Sequence, residues 1–64
     1  MSQNLLFAYV KQLLKEQKRP LTVEEMAAAL RVPVDTMRNA VQLWAGEHGR
    51  LRPVDGGYLL VEGS

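Results

Sequence analysis

The strongest constraint in the sequence is the short distance between two helix start signals, at Thr22 and at Pro33. Thr22 can cap a helix, and Glu25 three residues later completes a capping box. Pro33 is well placed as the first residue of another helix. Only a short helix, predicted over residues 23–30, and a connection of about two or three residues fit between these signals. The sequence therefore predicts two helices joined by a tight turn.

An amphipathic helix precedes this pair. From Leu5 onward, apolar residues recur at spacings of three and four until Pro20 ends the pattern, which predicts helix one over about 4–18. The apolar arc covers roughly 200°, about twice the stripe that one-sided burial needs. Leu5, Phe7 and Leu14 widen the arc. We expect either that the rest of the chain covers them or that they form a homodimer surface.

Helix three is predicted over residues 33–48 and has one apolar and one polar face. Gly49 ends it, and two β-prone runs separated by Asp-Gly-Gly at residues 55–57 predict a hairpin over about 50–62. We expect Trp44, Met37 and Met26 in the core, together with the rings of Tyr9 and Tyr58. The chain, residues 1–64, is thus interpreted as a single domain with the order helix, helix, tight turn, helix, hairpin.

The residue types that build metal sites and most active sites are scarce. The 64 residues include no cysteine and a single histidine, His48. Disulfides and thiolate-bound zinc are excluded, so stability must come from apolar packing. One histidine without a carboxylate cluster does not supply the three or four ligands of a metal site. Since no nucleophile set, Gly-rich phosphate loop or pair of buried acids is recognisable either, we expect no enzyme activity, no cofactor and no small-molecule substrate.

Targeting signals and charge give weaker constraints. The longest apolar run is residues 5–10, and the first residues carry no basic segment, so we expect neither a membrane span nor a signal peptide. The lack of cysteine fits a reducing compartment, and we expect a cytoplasmic protein. Eight Lys and Arg against seven Asp and Glu give a net charge of +1, which neither demands nor excludes a polyanionic partner.

The element order and several motifs resemble the winged helix-turn-helix superfamily over about residues 5–62. Residues 20–27 (PLTVEEMA) are similar to the family's opening of helix two, and residues 30–37 (LRVPVDTM) are similar to its turn. GRLR at residues 49–52 and GYLL at residues 57–60 are similar to its wing. The resemblance implies a mainly helical fold with a small β-hairpin: three helices plus a two-stranded wing.

The chain departs from the family pattern in the turn and at the end of helix three. The family usually places Gly where this chain has Arg31, so a positive φ at Arg31 would carry strain. It usually places Ser or Thr where this chain has Pro33. Between Trp44 and Gly49 the chain also has one residue more than the commonest pattern, which affects the register of the wing.

The resemblance implies that helix three enters the major groove of double-stranded DNA. Arg can bridge O6 and N7 of guanine, and Asn or Gln can bridge N6 and N7 of adenine. The candidate DNA-binding residues are Arg31, Thr36, Arg38, Asn39, Gln42, Arg50 and Arg52. The basic stripe of helix one, which comprises Lys11, Lys15, Lys18 and Arg19, is interpreted as a solvated face. The function expected is that of a transcriptional regulator or DNA-associated accessory protein of bacterial or phage type, with possible dimerisation through helix one.

A protein–protein interaction module in a larger assembly is the alternative. Asp35 lies on the predicted recognition face, Asp55 lies at the hairpin tip where a DNA-binding wing usually carries a cation, and Leu43 lies at the edge of the exposed face. The nearly neutral charge balance also fits this alternative.

Overall fold

The structure is a computed structural model that describes residues 2–61, with three helices followed by an antiparallel hairpin. The helices are α1 (Gln3–Gln17), α2 (Val23–Leu30) and α3 (Val34–Gln42), and the strands are β1 (Leu51–Val54) and β2 (Gly57–Leu60). A π-helical turn, Leu43–Glu47, continues α3. This architecture confirms the mainly helical fold with a small hairpin and is compatible with a helix-plus-wing layout. Residue 62, the predicted end of the hairpin, lies outside the described range.

Helix α1 begins and ends within a residue of its predicted bounds. The Ser2 hydroxyl accepts a hydrogen bond from the Leu5 N–H at 3.2 Å and caps the first turn. At the other end Lys18 adopts φ 55°, a left-handed conformation, and its N–H donates to the Leu14 carbonyl at 3.1 Å. The helix therefore stops through a left-handed cap ahead of Pro20.

Helix α2 has the predicted bounds, and its capping box is confirmed. The Glu25 N–H donates to the Thr22 hydroxyl at 3.1 Å, and the Thr22 N–H donates to Glu25 Oε1 at 2.9 Å. Arg31 ends the helix at φ 56°, so the positive φ expected at this position is present. The Val32 N–H donates to the Ala27 carbonyl at 2.9 Å and closes the turn.

The third helix differs from the prediction at both ends. Pro33 caps the helix with extended backbone (φ −55°, ψ 140°) and is not its first residue. The α-helical hydrogen bonding ends at Gln42, so an uninterrupted α-helix to residue 48 was wrong. Beyond it, the His48 N–H donates to the Leu43 carbonyl, five residues back, at 2.9 Å. A turn closed by such bonds holds more residues than an α turn.

The hairpin is anchored to the segment between α1 and α2. Leu51 pairs with Leu60 and Val54 with Gly57. Beyond this pairing, the Tyr58 N–H donates to the Leu21 carbonyl at 2.8 Å, and the Leu21 N–H donates to the Tyr58 carbonyl at 3.2 Å. Leu21 therefore forms an isolated antiparallel β-bridge with Tyr58 at the edge of the hairpin.

One apolar core joins the helices to the hairpin. Trp44, Met26 and Met37 are buried as predicted, with Trp44 only 1% exposed. The Phe7 ring packs edge-on against Trp44, with centroids 5.2 Å apart and planes at 64°. The buried residues are Leu6, Phe7, Val10, Leu14, Leu21, Met26, Ala27, Met37, Ala40, Val41, Trp44 and Leu51.

The burial of α1 separates the two alternatives for its apolar arc and corrects the prediction for Tyr9. Phe7 and Leu14, expected either beneath the rest of the chain or in a homodimer surface, are only 8% and 5% exposed, and Phe7 packs against Trp44 of the same chain. Tyr9, whose ring was expected in the core, is 48% exposed, as is Leu5. The apolar surface that α1 leaves open is therefore centred on Leu5 and Tyr9. No helix in residues 2–61 is both long and apolar enough to cross a membrane.

Candidate nucleic-acid interface

The outward face of α3 is set by the residues that the helix buries. Met37, Ala40 and Val41 are at most 2% exposed, which fixes the rotation of the helix about its axis. Asn39 and Gln42 then point away from the core and are exposed. Neither side-chain amide hydrogen-bonds to another residue within 2–61. Their donors and acceptors are available to a partner.

Arg38 lies on the same face but is engaged by two carboxylates. Its Nη1 donates to Asp35 Oδ1 at 3.1 Å, one turn earlier on α3, and its Nη2 donates to Glu24 Oε2 at 3.2 Å on α2. All three side chains are substantially exposed: Arg38 at 43%, Asp35 at 95% and Glu24 at 65%. Exposed pairs of this kind are worth about 0–1 kcal/mol each, so a ligand can displace them at little cost.

This ion-pair cluster carries a net charge of −1, so it gives the predicted recognition face no excess of positive charge. The one cation of the cluster, Arg38, is matched against Asp35 and Glu24. A polyanion that approaches Arg38 also approaches these two acids. The sequence placed Asp35 on this face, but Glu24 is distant along the chain and comes close only through the packing of α2 against α3.

Two other predicted residues lie beside this face. Arg31 occupies the left-handed position between α2 and α3 and is exposed. Thr36 is exposed in the first turn of α3. Five of the predicted residues thus lie on α3 or on the turn that precedes it. They are Arg31, Thr36, Arg38, Asn39 and Gln42.

The two hairpin arginines do not join this group through any observed contact. The Arg50 guanidinium carbon lies 4.9 Å from the centroid of the Phe7 ring, a cation–π geometry that directs this arginine toward α1. Arg52 on β1 lines a cleft together with Lys15 and Lys18 of α1. Both arginines therefore face helix one.

The same cleft revises the interpretation of the basic stripe on α1. Lys15, Lys18 and Arg19 are not only a solvated face, since they line a cleft with Arg52 of the hairpin. The basic stripe on α1 and the basic residue in β1 are both visible in the sequence. That the two come together in one cleft depends on tertiary packing, which no local sequence pattern indicates.

The carboxylate of Glu25 serves the fold. The pKa of Glu25 is lowered from its usual 4.5, first by the hydrogen bond from the Thr22 backbone N–H and then by the hydrogen bond from the Arg19 side chain. Both partners favour the carboxylate over the carboxylic acid. Glu25 is thus a structural carboxylate of the capping box, and nothing around it suggests proton transfer.

Within residues 2–61, no group of three or more His, Cys, Asp or Glu side chains is placed to hold a metal ion. A comparison with known protein families found no matching family, and neither curated proteins nor solved structures gave a significant match. The resemblance to winged helices therefore depends on the motifs and the element order.

Proposed function

We propose that the chain is a winged-helix module that binds double-stranded DNA, with α3 in the major groove, as part of a transcriptional regulator or a DNA-associated accessory protein. The observation that supports this most is the outward pair of Asn39 and Gln42. Both amides are exposed and have no intramolecular partner within 2–61, on a helix whose rotation the core fixes. Such amides match the major-groove edge of adenine, and a good bidentate pair gives about 1–3 kcal/mol of discrimination.

In this proposal Arg38 contacts a base and Arg31 contacts the DNA backbone. Arg38 exchanges its carboxylate partners for the O6 and N7 acceptors of guanine. The two exposed ion pairs cost little to break, but Asp35 and Glu24 then stay close to the DNA and oppose binding. Arg31, exposed at the start of α3, contacts a phosphate. This one phosphate contact contributes about −1 to the slope of log K against log salt.

Titration of a fluorescent random duplex at low and moderate salt tests the proposal. Arg31→Gln is expected to weaken binding and to reduce the magnitude of the salt slope by about 1. Lys11→Gln is the matched control, because it removes the same charge from α1 and should leave the slope unchanged. Failure of the unmodified chain to bind duplex even at low salt would contradict the proposal.

A second variant pair tests the face itself. Asp35→Asn removes one carboxylate from Arg38 and one negative charge from the predicted contact surface. We expect it to tighten duplex binding severalfold, whereas Glu16→Gln on α1, which removes the same charge elsewhere, should have a smaller effect. Equal effects of the two variants would show that only the net charge matters and that α3 is not the contact surface.

One observation favours the alternative, a protein–protein interaction module. The outward face of α3 holds its only arginine between two carboxylates, so this group of three side chains is net negative and the face offers a mixed polar surface. Such a surface suits a protein partner with polar groups of both signs. Under this alternative, duplex binding is absent at every salt concentration and Asp35→Asn does not restore it.

Homodimerisation, if it occurs through α1, uses a smaller surface than the sequence suggested. Leu5 and Tyr9 remain half exposed, whereas Phe7 and Leu14 belong to the core of the same chain. Size-exclusion chromatography with light scattering tests this arrangement, with Leu5→Ser and Tyr9→Ser as variants. A monomer at high concentration would exclude α1 as a dimer surface.

A further inference from the structure

A cleft of about 320 Å³ lies between the C-terminal end of α1 and the hairpin. Its residues combine an apolar floor with a basic rim. The floor consists of Leu14, Leu59 and Leu60, and the rim consists of Lys15, Lys18, Arg19 and Arg52. This volume lies near the lower end of the range for small-ligand pockets.

The rim carries positive charge that residues 2–61 leave largely uncompensated. No acidic residue lines the cleft. Arg19 donates to Glu25 Oε2 at 3.0 Å and to the Pro20 carbonyl at 3.2 Å, which orients its guanidinium. Lys15, Lys18 and Arg52 form no ion pair with another residue of the described range. Three cations thus converge on one opening in a chain whose net charge is only +1.

The end of α1 opposes this charge only weakly. A helix C-terminus carries about half a negative charge, but the effect is screened and local. The Leu14 carbonyl, one of the groups that carry it, already accepts the Lys18 N–H at 3.1 Å. The field in the cleft is therefore dominated by the side-chain cations.

We propose that this cleft binds a small amphipathic organic anion: a carboxylate or phosphate monoester attached to an aromatic or short aliphatic group. The apolar group lies on the three leucines, and the anionic group meets the lysines and Arg52. Inorganic phosphate would use only the rim, and a neutral hydrocarbon would use only the floor. The combination of the two is what selects the ligand.

This site is separate from the proposed DNA contact of α3. No residue of α3 lines the cleft. Asn39→Ala therefore tests α3 without touching the cleft, and Lys18→Gln tests the cleft without touching α3. The two proposals can fail independently.

The experiment is an NMR titration of the ¹⁵N-labelled chain with 2-naphthoate, with acetate and 2-naphthalenemethanol as the charge-only and apolar-only probes. For a ligand of this size we expect a dissociation constant on the order of 1 mM or below. The largest shift changes should fall on the amides of residues 14–19, 52 and 59–60. Each control probe should bind at least about tenfold more weakly, since it lacks one of the two contacts.

Matched variants locate the binding site. Arg52→Gln and Lys18→Gln should each weaken naphthoate binding about threefold to tenfold, as expected for partly exposed charge-assisted contacts. Lys11→Gln, which removes the same charge elsewhere on α1, and Asn39→Ala should change it less than about twofold. The proposal is overturned if acetate binds as well as naphthoate, if the shift changes lie outside the cleft, or if Lys11→Gln and Arg52→Gln have equal effects.

Discussion

Gly57→Ala tests the contact that holds the hairpin to the rest of the chain. Gly57 has φ 141°, a conformation that side-chain-bearing residues rarely adopt. A Cβ placed there would overlap the backbone carbonyl of Leu21 and would lie 2.7 Å from the Thr22 nitrogen. Because the obstacle is backbone, no side-chain rotation relieves it. The substitution must therefore push β2 away from Leu21.

The expected cost follows from two contributions. A residue in a sparsely populated backbone conformation costs about 1–3 kcal/mol. Separation of β2 from Leu21 also breaks the two hydrogen bonds between Leu21 and Tyr58, each worth about 0.5–1.5 kcal/mol. The sum, about 2–6 kcal/mol, is comparable with the total stability of about 3–10 kcal/mol expected for a chain of this length. Gly57→Ala should therefore leave much of the protein unfolded at 25 °C.

Two other glycines provide matched controls. Gly56 has φ 88°, but a Cβ there meets nothing within 4 Å, so Gly56→Ala carries only the conformational cost. Gly46 lies in the π turn with open space around its Cβ position and no positive φ. Gly46→Ala should be neutral or stabilising by up to about 1 kcal/mol. We therefore predict that Gly46→Ala is the most stable of the three variants, Gly56→Ala is intermediate and Gly57→Ala is the least stable.

Urea denaturation followed by tryptophan fluorescence measures this order. Trp44 is the only tryptophan and is 1% exposed, so its emission reports the loss of the core. The shift in the urea concentration at the unfolding midpoint gives the change in the free energy of unfolding, provided that the dependence of this free energy on urea concentration is unchanged. If Gly57→Ala cost no more than Gly56→Ala, the close approach of β2 to Leu21 would not exist and the reasoning would be refuted.

Four further substitutions test the helix ends and the core. Arg31→Gly and Lys18→Gly should each raise the unfolding free energy by up to about 1 kcal/mol, because glycine removes the cost of the left-handed conformation, and thermal unfolding measures this. Since the pKa of Glu25 is lowered in the folded chain, its contribution is present above pH 4.5 and is lost as the pH falls through the folded pKa. The stability advantage of the unmodified chain over Glu25→Gln, measured by urea denaturation, should therefore shrink below pH 4.5, and an advantage that is constant down to pH 2 would contradict the assignment. Phe7→Leu should lower stability by about 1–2 kcal/mol and change the emission of Trp44, since it removes the edge-on ring contact.

Local signals predicted the helices well. The capping box at Thr22 and Glu25 fixes the start of α2 through two hydrogen bonds between neighbours in the sequence. The positive φ at Arg31 follows from the shortness of the turn, which leaves few conformations for the chain. Such features depend on residues a few positions apart, and the sequence contains all of the participants.

Features that depend on tertiary packing were not predictable in the same way. The engagement of Arg38 by Glu24 requires α2 to pack against α3, and the direction of Arg50 depends on the ring of Phe7. The width of the apolar arc on α1 was read correctly, but periodicity does not distinguish cover by a second copy from cover by the same chain. Here Phe7 is covered by Trp44 of its own chain.

The π turn at Leu43–Glu47 holds more residues per turn than the α-helix that precedes it. The wider turn takes up one more residue between α3 and the hairpin than an α-helical turn would. The positions of α3 and of the hairpin therefore do not have to change to fit that residue. Loss of one residue from this segment would convert the widened turn to an ordinary α-helical one. We therefore expect deletion of one residue within Leu43–Glu47 to disturb the exposed face of α3 and the pairing of β1 with β2 less than deletion of a residue within α3.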